Sequence, residues 1–340
     1  MKAVEYRGDR TFAVTERTPS PPEPGMVQVR VAYVGLCGTD LHVYLGDMDA
    51  RVGGEAVIGH EMSGTVAALG EGVDGFAVGD PVTVMPTRFC GDCRACRAGH
   101  SNVCYHMNFI GLDSPGALQE LWNVPADLVV GLDPSIDLRN AALIEPLTVA
   151  VHDVRRAMLT AEDKVLVVGG GPIGLLIASV AALDGVEVLL SEPEPGRRAL
   201  AERFGIRTVN PADGALAEAV SSLTGGVGVD VAFEVSGSAP GISSALESLA
   251  VRGRLVEVAI HAAPRPIDLH RIFWRELEIF GARLYDLDDM RTAADLVKRG
   301  QIPVAALVSG VRPLDETGEA FEALRNGEAM KILIAVSETA

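Results

Sequence analysis

The stretch Lys164 to Glu192, KVLVVGGGPIGLLIASVAALDGVEVLLSE, constrains the fold of this chain most. Its run from Val165 to Leu183 carries no charge and is nearly long enough to cross a bilayer. Yet Gly169, Gly170, Gly171, Pro172 and Gly174 crowd its first half, where they make a poor membrane helix and a good tight turn. A buried strand, a turn and a buried helix satisfy both facts. Gly169, Gly171 and Gly174 match G-x-G-x-x-G, Val186 to Leu190 reads as the next strand, and Glu192 stands at its end. That context is what a dinucleotide-binding turn requires. Glycines let backbone approach a pyrophosphate, whose charge faces the amino terminus of a helical run expected over Leu175 to Leu183. Pro172 and Ile173 are counted among the cofactor-binding residues. Glu192 suits ribose hydroxyls and repels a 2′-phosphate, which favours NAD over NADP. Arg197, close by, is able to accommodate that phosphate and weighs the other way.

The pattern continues. Val229 to Phe233 reads as a strand followed by Glu234-Val-Ser-Gly, Leu255 to Ile260 as a strand after the turn Arg252-Gly253-Arg254, and Glu278 to Ala282 as another. Strands alternating with helices predict a doubly wound parallel sheet over roughly Val151 to Tyr285. The first 150 residues differ: short apolar runs at Val27 to Val34, Gly64 to Ala68 and Pro81 to Met85, separated by Pro/Gly turns, predict a β-rich, barrel-like unit. The tail from Asp286 is helix-like and ends in the strand-like Lys331 to Val336. Hydrophobic residues make up 48% and aromatics only 5%, so the core is aliphatic. A net charge of −17 argues against nucleic acid or an anionic membrane as partner. The amino terminus lacks a secretory pattern, and the expected location is cytoplasmic.

The five cysteines are Cys37, Cys90, Cys93, Cys96 and Cys104, an odd count that argues against a disulfide framework. Four lie in CGDCRACRAGHSNVC, spaced C-x2-C-x2-C-x7-C. Such spacing suits a closed tetrahedral zinc site, and equally an iron–sulfur cluster. Cys37 lies in GLCGTDLH with Thr39, Asp40 and His42; His60 and Glu61 adjoin in IGHEMSG. A lone Cys or His is ordinarily a core residue. A Cys, a His and a carboxylate together form the ligand set of a zinc site with an open position, but spacing alone does not bring Cys37 to His60.

Taken together, Cys37-Gly-Thr-Asp-Leu-His, Gly59-His-Glu, the four-cysteine segment, Glu145-Pro, Gly169 to Gly174 and Glu234-Val-Ser-Gly resemble the zinc-dependent medium-chain dehydrogenase/reductase superfamily. The likeness is greatest to its polyol branch of sorbitol, butanediol and threonine dehydrogenases. The resemblance implies an α/β protein: a GroES-like β-rich catalytic domain from residues 1–150 and 286–340, and a Rossmann NAD(P)-binding domain from residues 151–285. It makes Cys90, Cys93, Cys96 and Cys104 the ligands of a structural zinc. It makes Cys37 and His60 ligands of a catalytic zinc, with Glu61 or Glu145 as the third. The alcohol-dehydrogenase branch has a cysteine near the place of Glu145, so the glutamate favours polyol substrates.

The cofactor contacts implied also include Ser236, Val258, Ala259, Ile260, Ala282 and Arg283. The implied reaction interconverts a secondary alcohol or polyol and its ketone by hydride transfer, with zinc as Lewis acid. By the same resemblance Thr39 would take the alcohol proton and His42 deliver it to water, by way of the cofactor ribose. Asp40 is expected to be a supporting or loop-capping residue rather than an acid catalyst. Alternatives are an L-threonine 3-dehydrogenase and, in another class, a Rossmann redox sensor without turnover. A zinc-free quinone reductase conflicts with the full cysteine set. The resemblance also implies a homo-oligomer, a tetramer or a dimer. Two features depart from the pattern or leave it open: Gln119 and Leu121 stand in Gly116-Ala-Leu-Gln-Glu-Leu, and Tyr44, Phe109 and Trp274 are only candidates to line a substrate pocket.

Overall fold

The charge-free stretch divides at its glycines into strand β1 (Lys164–Val168) and the helix Pro172–Leu183. Strands β2 (Glu187–Ser191), β3 (Arg207–Val209), β4 (Val229–Glu234), β5 (Leu249–Glu257) and β6 (Glu278–Gly281) follow. All six are parallel, in the order β3-β2-β1-β4-β5-β6. The central strands are continuous apolar runs, Val165, Leu166 and Val167 in β1 and Val231, Ala232 and Phe233 in β4, all fully buried. Such runs are what a sheet covered by crossover helices selects. Strand order reverses direction between β1 and β4, and a parallel sheet of this kind takes ligands there, outside the carboxyl ends of its strands.

One expectation is corrected. β5 begins at Leu249, not Leu255, and ends at Glu257, so Val258 to Ile260 lie beyond it. Arg252-Gly253-Arg254 is no turn between elements. Arg252 adopts φ 60° inside β5, and the register with β4 shifts between Val229 and Val231, so the extra residues are taken up as an irregularity within the strand.

The computed structural model describes residues 1–261 and 263–337; residues 338–340 of the expected tail lie outside them. It separates into two units, Met1–Glu145 with Asp286–Ala340, and Pro146–Tyr285, the second holding the six parallel strands. In the first unit a seven-stranded sheet runs through Val308–Pro313, Lys331–Ala335, Met26–Gly35, Glu61–Leu69, Pro81–Val84 and Val129–Gly131, with Leu121–Pro125 also paired to Met26–Gly35. The tail strand pairs with an early one, Leu333 opposite Gly35. Val27, Val29 and Val31 alternate into the core from Met26–Gly35. Among the described residues no helix is long and apolar enough to cross a membrane.

Candidate active site

Antiparallel register assembles the first cluster. Gly35 lies opposite Glu61. Cys37 is two residues beyond the one and His60 one residue before the other, so a single strand pair delivers both motifs to one place. Ligand atoms of Cys37, His60 and Glu61 all lie within 4.8 Å of one another. A Cβ on Gly35 would collide with the Glu61 carboxylate, so glycine leaves the space that side chain fills.

Cys37 precedes the helix Gly38–Tyr44, and Asp40 in its first turn accepts the Cys37 N–H at 3.0 Å. Its other carboxylate oxygen stands 3.3 Å from His60 Nδ1, as in sites where a carboxylate orients a metal-ligating imidazole. Burial opposes charge on His60, but Asp40 and Cys37 outweigh it and hold the imidazole well above its usual range. Asp40 therefore caps the loop through one oxygen and faces His60 with the other.

Lys331, from the tail strand, is a residue that sequence reasoning missed. Its Nζ lies 2.8 and 2.7 Å from the two Glu61 oxygens and 3.0 Å from the Leu36 carbonyl, all in the interior. Burial works against its charge, yet Glu61, Cys37 and Glu145 raise its pKa above the ordinary lysine value. The available signal was a single charge opening the apolar strand Lys331–Ala335. Glu145 is itself buried in the first turn of the helix Ile144–Ala157. Thr39 and His42 are half-buried on Gly38–Tyr44, and His42 Nδ1 pairs with Asp47 at 2.8 Å.

Of the candidate aromatics, Phe109 meets the His60 ring edge-on, with centroids 5.1 Å apart. Tyr44 belongs to the core: it stacks with Phe12 and Phe321 and its hydroxyl donates to Glu322. Trp274 is exposed and stacks on His270. Gln119, unusual at its place, is buried and donates to the Gly116 carbonyl at 2.7 Å.

The four-cysteine loop forms a second cluster. Cys90 and Cys96 sulfurs are 4.0 Å apart, Cys93 and Cys104 3.9 Å, and Cys104 and Cys90 3.5 Å. Zinc–sulfur bonds of about 2.3 Å in a regular tetrahedron set sulfurs about 3.8 Å apart. The observed spacing fits one ion and is too close to enclose an iron–sulfur cluster. N–H groups of Cys93, Cys96 and His106 point at Cys90, Cys93 and Cys104 sulfurs at 3.3 to 3.5 Å. Donors of this kind favour thiolate. Cys93 is lowered to about 6 by the Cys96 N–H, whereas Asp92 pushes Cys90 up to about 12.

In the second unit Gly169 takes φ 105° just after β1, and Gly171 caps the helix that Pro172 opens. A Cβ on Gly174 would strike the Gly169 carbonyl. Glu192 is buried; one oxygen accepts the Gly170 N–H at 2.7 Å, the other the Glu194 N–H at 2.8 Å, and Arg197 stands 3.9 Å away. Ser236 donates through its backbone to Glu234, whose own carbonyl accepts Val258 and Ala259 N–H groups. Ala282 N–H bonds the Glu257 carbonyl; Ile260 and Arg283 are exposed. The expected cofactor residues thus gather at or just beyond the carboxyl ends of β1, β2, β4, β5 and β6.

Residues 23–134 match the alcohol dehydrogenase GroES-like domain family and residues 172–299 the zinc-binding dehydrogenase family. A 2-dehydro-3-deoxy-L-galactonate 5-dehydrogenase from Pseudoalteromonas atlantica is 47% identical over 98% of both chains. A sorbitol dehydrogenase from Halalkalibacterium halodurans is 33% identical over 98% of this chain and 99% of that one. A zinc-binding dehydrogenase from Sinorhizobium meliloti, solved with NADP, superposes with a TM-score of 0.91 at 30% identity, covering 98% of each chain. The chain belongs to the zinc-dependent medium-chain dehydrogenase/reductase superfamily, in its polyol branch. It combines a GroES-like domain with a Rossmann domain and is an oxidoreductase, a zinc-dependent alcohol or polyol dehydrogenase.

Proposed function

We propose that the chain interconverts a secondary hydroxyl and a ketone on a deoxy sugar acid, using NAD in preference to NADP. The observation that carries the chemistry is the meeting of Cys37, His60 and Glu61 within 4.8 Å, a soft, mixed donor set suited to an open zinc site. The substrate class rests on the relative from Pseudoalteromonas atlantica, 47% identical along nearly its whole length.

In this reading Cys37 and His60 hold the catalytic zinc with Glu61 or Glu145, and Cys90, Cys93, Cys96 and Cys104 hold a structural one. Residues 1–150 and 286–340 form the catalytic domain and residues 151–285 the dinucleotide-binding domain. When bound, zinc supplies Lewis acidity and the nicotinamide accepts the hydride. Thr39, two residues past Cys37, receives the substrate's hydroxyl proton. His42, one helical turn on, releases it to water, its ring oriented by Asp47 at 2.8 Å. Gly169 to Gly174 seat the pyrophosphate and Glu192 accepts the ribose hydroxyls, with Arg197 at its side. Ser236, Val258, Ala259, Ile260, Ala282 and Arg283 complete the cofactor surface.

A substrate panel tests this. Turnover with 2-dehydro-3-deoxy-aldonates should exceed that with sorbitol, 2,3-butanediol and L-threonine, followed by the absorbance of reduced coenzyme. A preference for L-threonine would replace the proposal. Glu192→Ala should shift the ratio of kcat/KM for NAD to that for NADP by about tenfold, because a charged acceptor of the ribose is lost. An unchanged ratio would mean that Glu192 does not read the ribose.

The cytoplasm as location, and the absence of nucleic-acid or membrane partners, belong to this reading and rest on sequence and charge. So does a homo-oligomer, for which the edge strand β6 and the exposed Phe273, Trp274 and Leu269 offer a surface to a second copy. A monomer mass by light scattering would remove that element.

A further inference from the structure

A dinucleotide crossing a sheet at its switch point places one half on each side. The glycine turn and Glu192 mark the side of β1 to β3 for adenosine, which leaves the carboxyl ends of β4 to β6 to the nicotinamide half. Glu234 ends β4 and Glu257 ends β5, in register with one another. His261 lies just beyond, its Nε2 3.1 Å from Glu257 Oε1 and 3.4 Å from Glu234 Oε2. Neither the zinc chemistry nor the glycine turn uses Glu257 or His261.

This trio is built into the backbone that would meet the ring. The Glu234 carboxylate accepts N–H groups of Ser236 at 2.9 Å and Gly237 at 3.2 Å. The Glu257 carbonyl accepts the Ala282 N–H at 2.9 Å. Two carboxylates in register repel each other, so a sheet has no structural reason to pair them. Burial, and then Glu234, push Glu257 up to about 7, while His261 pulls it down. His261 Nδ1 is buried and meets no hydrogen-bond partner among the described residues, as befits a group that completes its bonding only with a ligand.

We propose that Glu257, held against Glu234 by His261, sets a negative potential at the nicotinamide end of the sheet and favours oxidised over reduced coenzyme. The oxidised ring is cationic and the reduced ring neutral, so the two coenzymes differ by one charge at that end and share every other group. A carboxylate nearby separates their affinities, whereas mere loosening of the loop weakens both alike.

The inference rests on the nicotinamide-dependent function proposed above. Its test is binding of NAD⁺ and NADH to the zinc-loaded protein by titration calorimetry, at about pH 8.5, where Glu257 is ionised. Glu257→Gln should raise the dissociation constant of NAD⁺ relative to that of NADH by about three- to tenfold. Glu257→Asp, which restores the charge, should recover most of the ratio and serves also if the glutamine variant folds poorly. Equal weakening of both coenzymes, or a ratio unmoved in both variants, overturns the inference. Wild-type protein that binds neither coenzyme would instead overturn the proposed function.

Discussion

His60→Ala should abolish turnover while leaving NAD binding within about twofold. The imidazole faces Asp40, 3.3 Å from Nδ1, and shares a 4.8 Å neighbourhood with Cys37 and Glu61. Its loss leaves Cys37 and one carboxylate, Glu61 or Glu145, too little to retain zinc in an open site. Lewis-acid stabilisation is worth several kcal/mol, so kcat should fall on the order of a thousandfold or more. The glycine turn lies in the other unit, residues 146–285, so coenzyme affinity has no reason to follow. Elemental analysis should show about two zinc ions per wild-type chain and about one in the variant. Retained activity with one zinc lost would sink the assignment of His60.

Lys331→Met should destabilise the fold by about 3–5 kcal/mol, the usual result of removing one partner from a buried ion pair. Nζ is bound to both Glu61 oxygens and the Leu36 carbonyl, and both side chains are buried. Because the folded-state pKa of Lys331 is raised, its contribution is fully present below the unfolded value of about 10.4 and is lost as pH rises through the folded value. The difference between wild type and variant in urea unfolding should therefore be constant across neutral pH and shrink in strong alkali. Glu61→Gln added to Lys331→Met should recover part of the loss. A loss below about 1 kcal/mol, the range of exposed pairs, would show that the pair is not buried in solution.

What the sequence disclosed follows the range of the interactions involved. The glycine turn and the four-cysteine loop were legible because each is complete within a few residues, down to the cap at Gly171 and the sulfur spacing. Cys37 and His60 were legible only as fragments, since the Gly35–Glu61 register that joins them is a property of the paired strands. Lys331 stands 270 positions from its partner, and no local pattern could announce it. Arg252-Gly253-Arg254 misled because a strand irregularity and a turn draw on the same residues. Tyr44 stands close to Cys37 in sequence, yet its side chain is committed to an aromatic stack with Phe12 and Phe321.

The placement of Lys331–Ala335 beside Met26–Gly35 also sets an order of assembly. On the ribosome the parallel-sheet unit has all its residues once Tyr285 has emerged. The first unit, begun earlier, keeps the edge of Met26–Gly35 open until Lys331–Ala335 has been made. Closure of that sheet therefore comes after every residue of the parallel-sheet unit has been made.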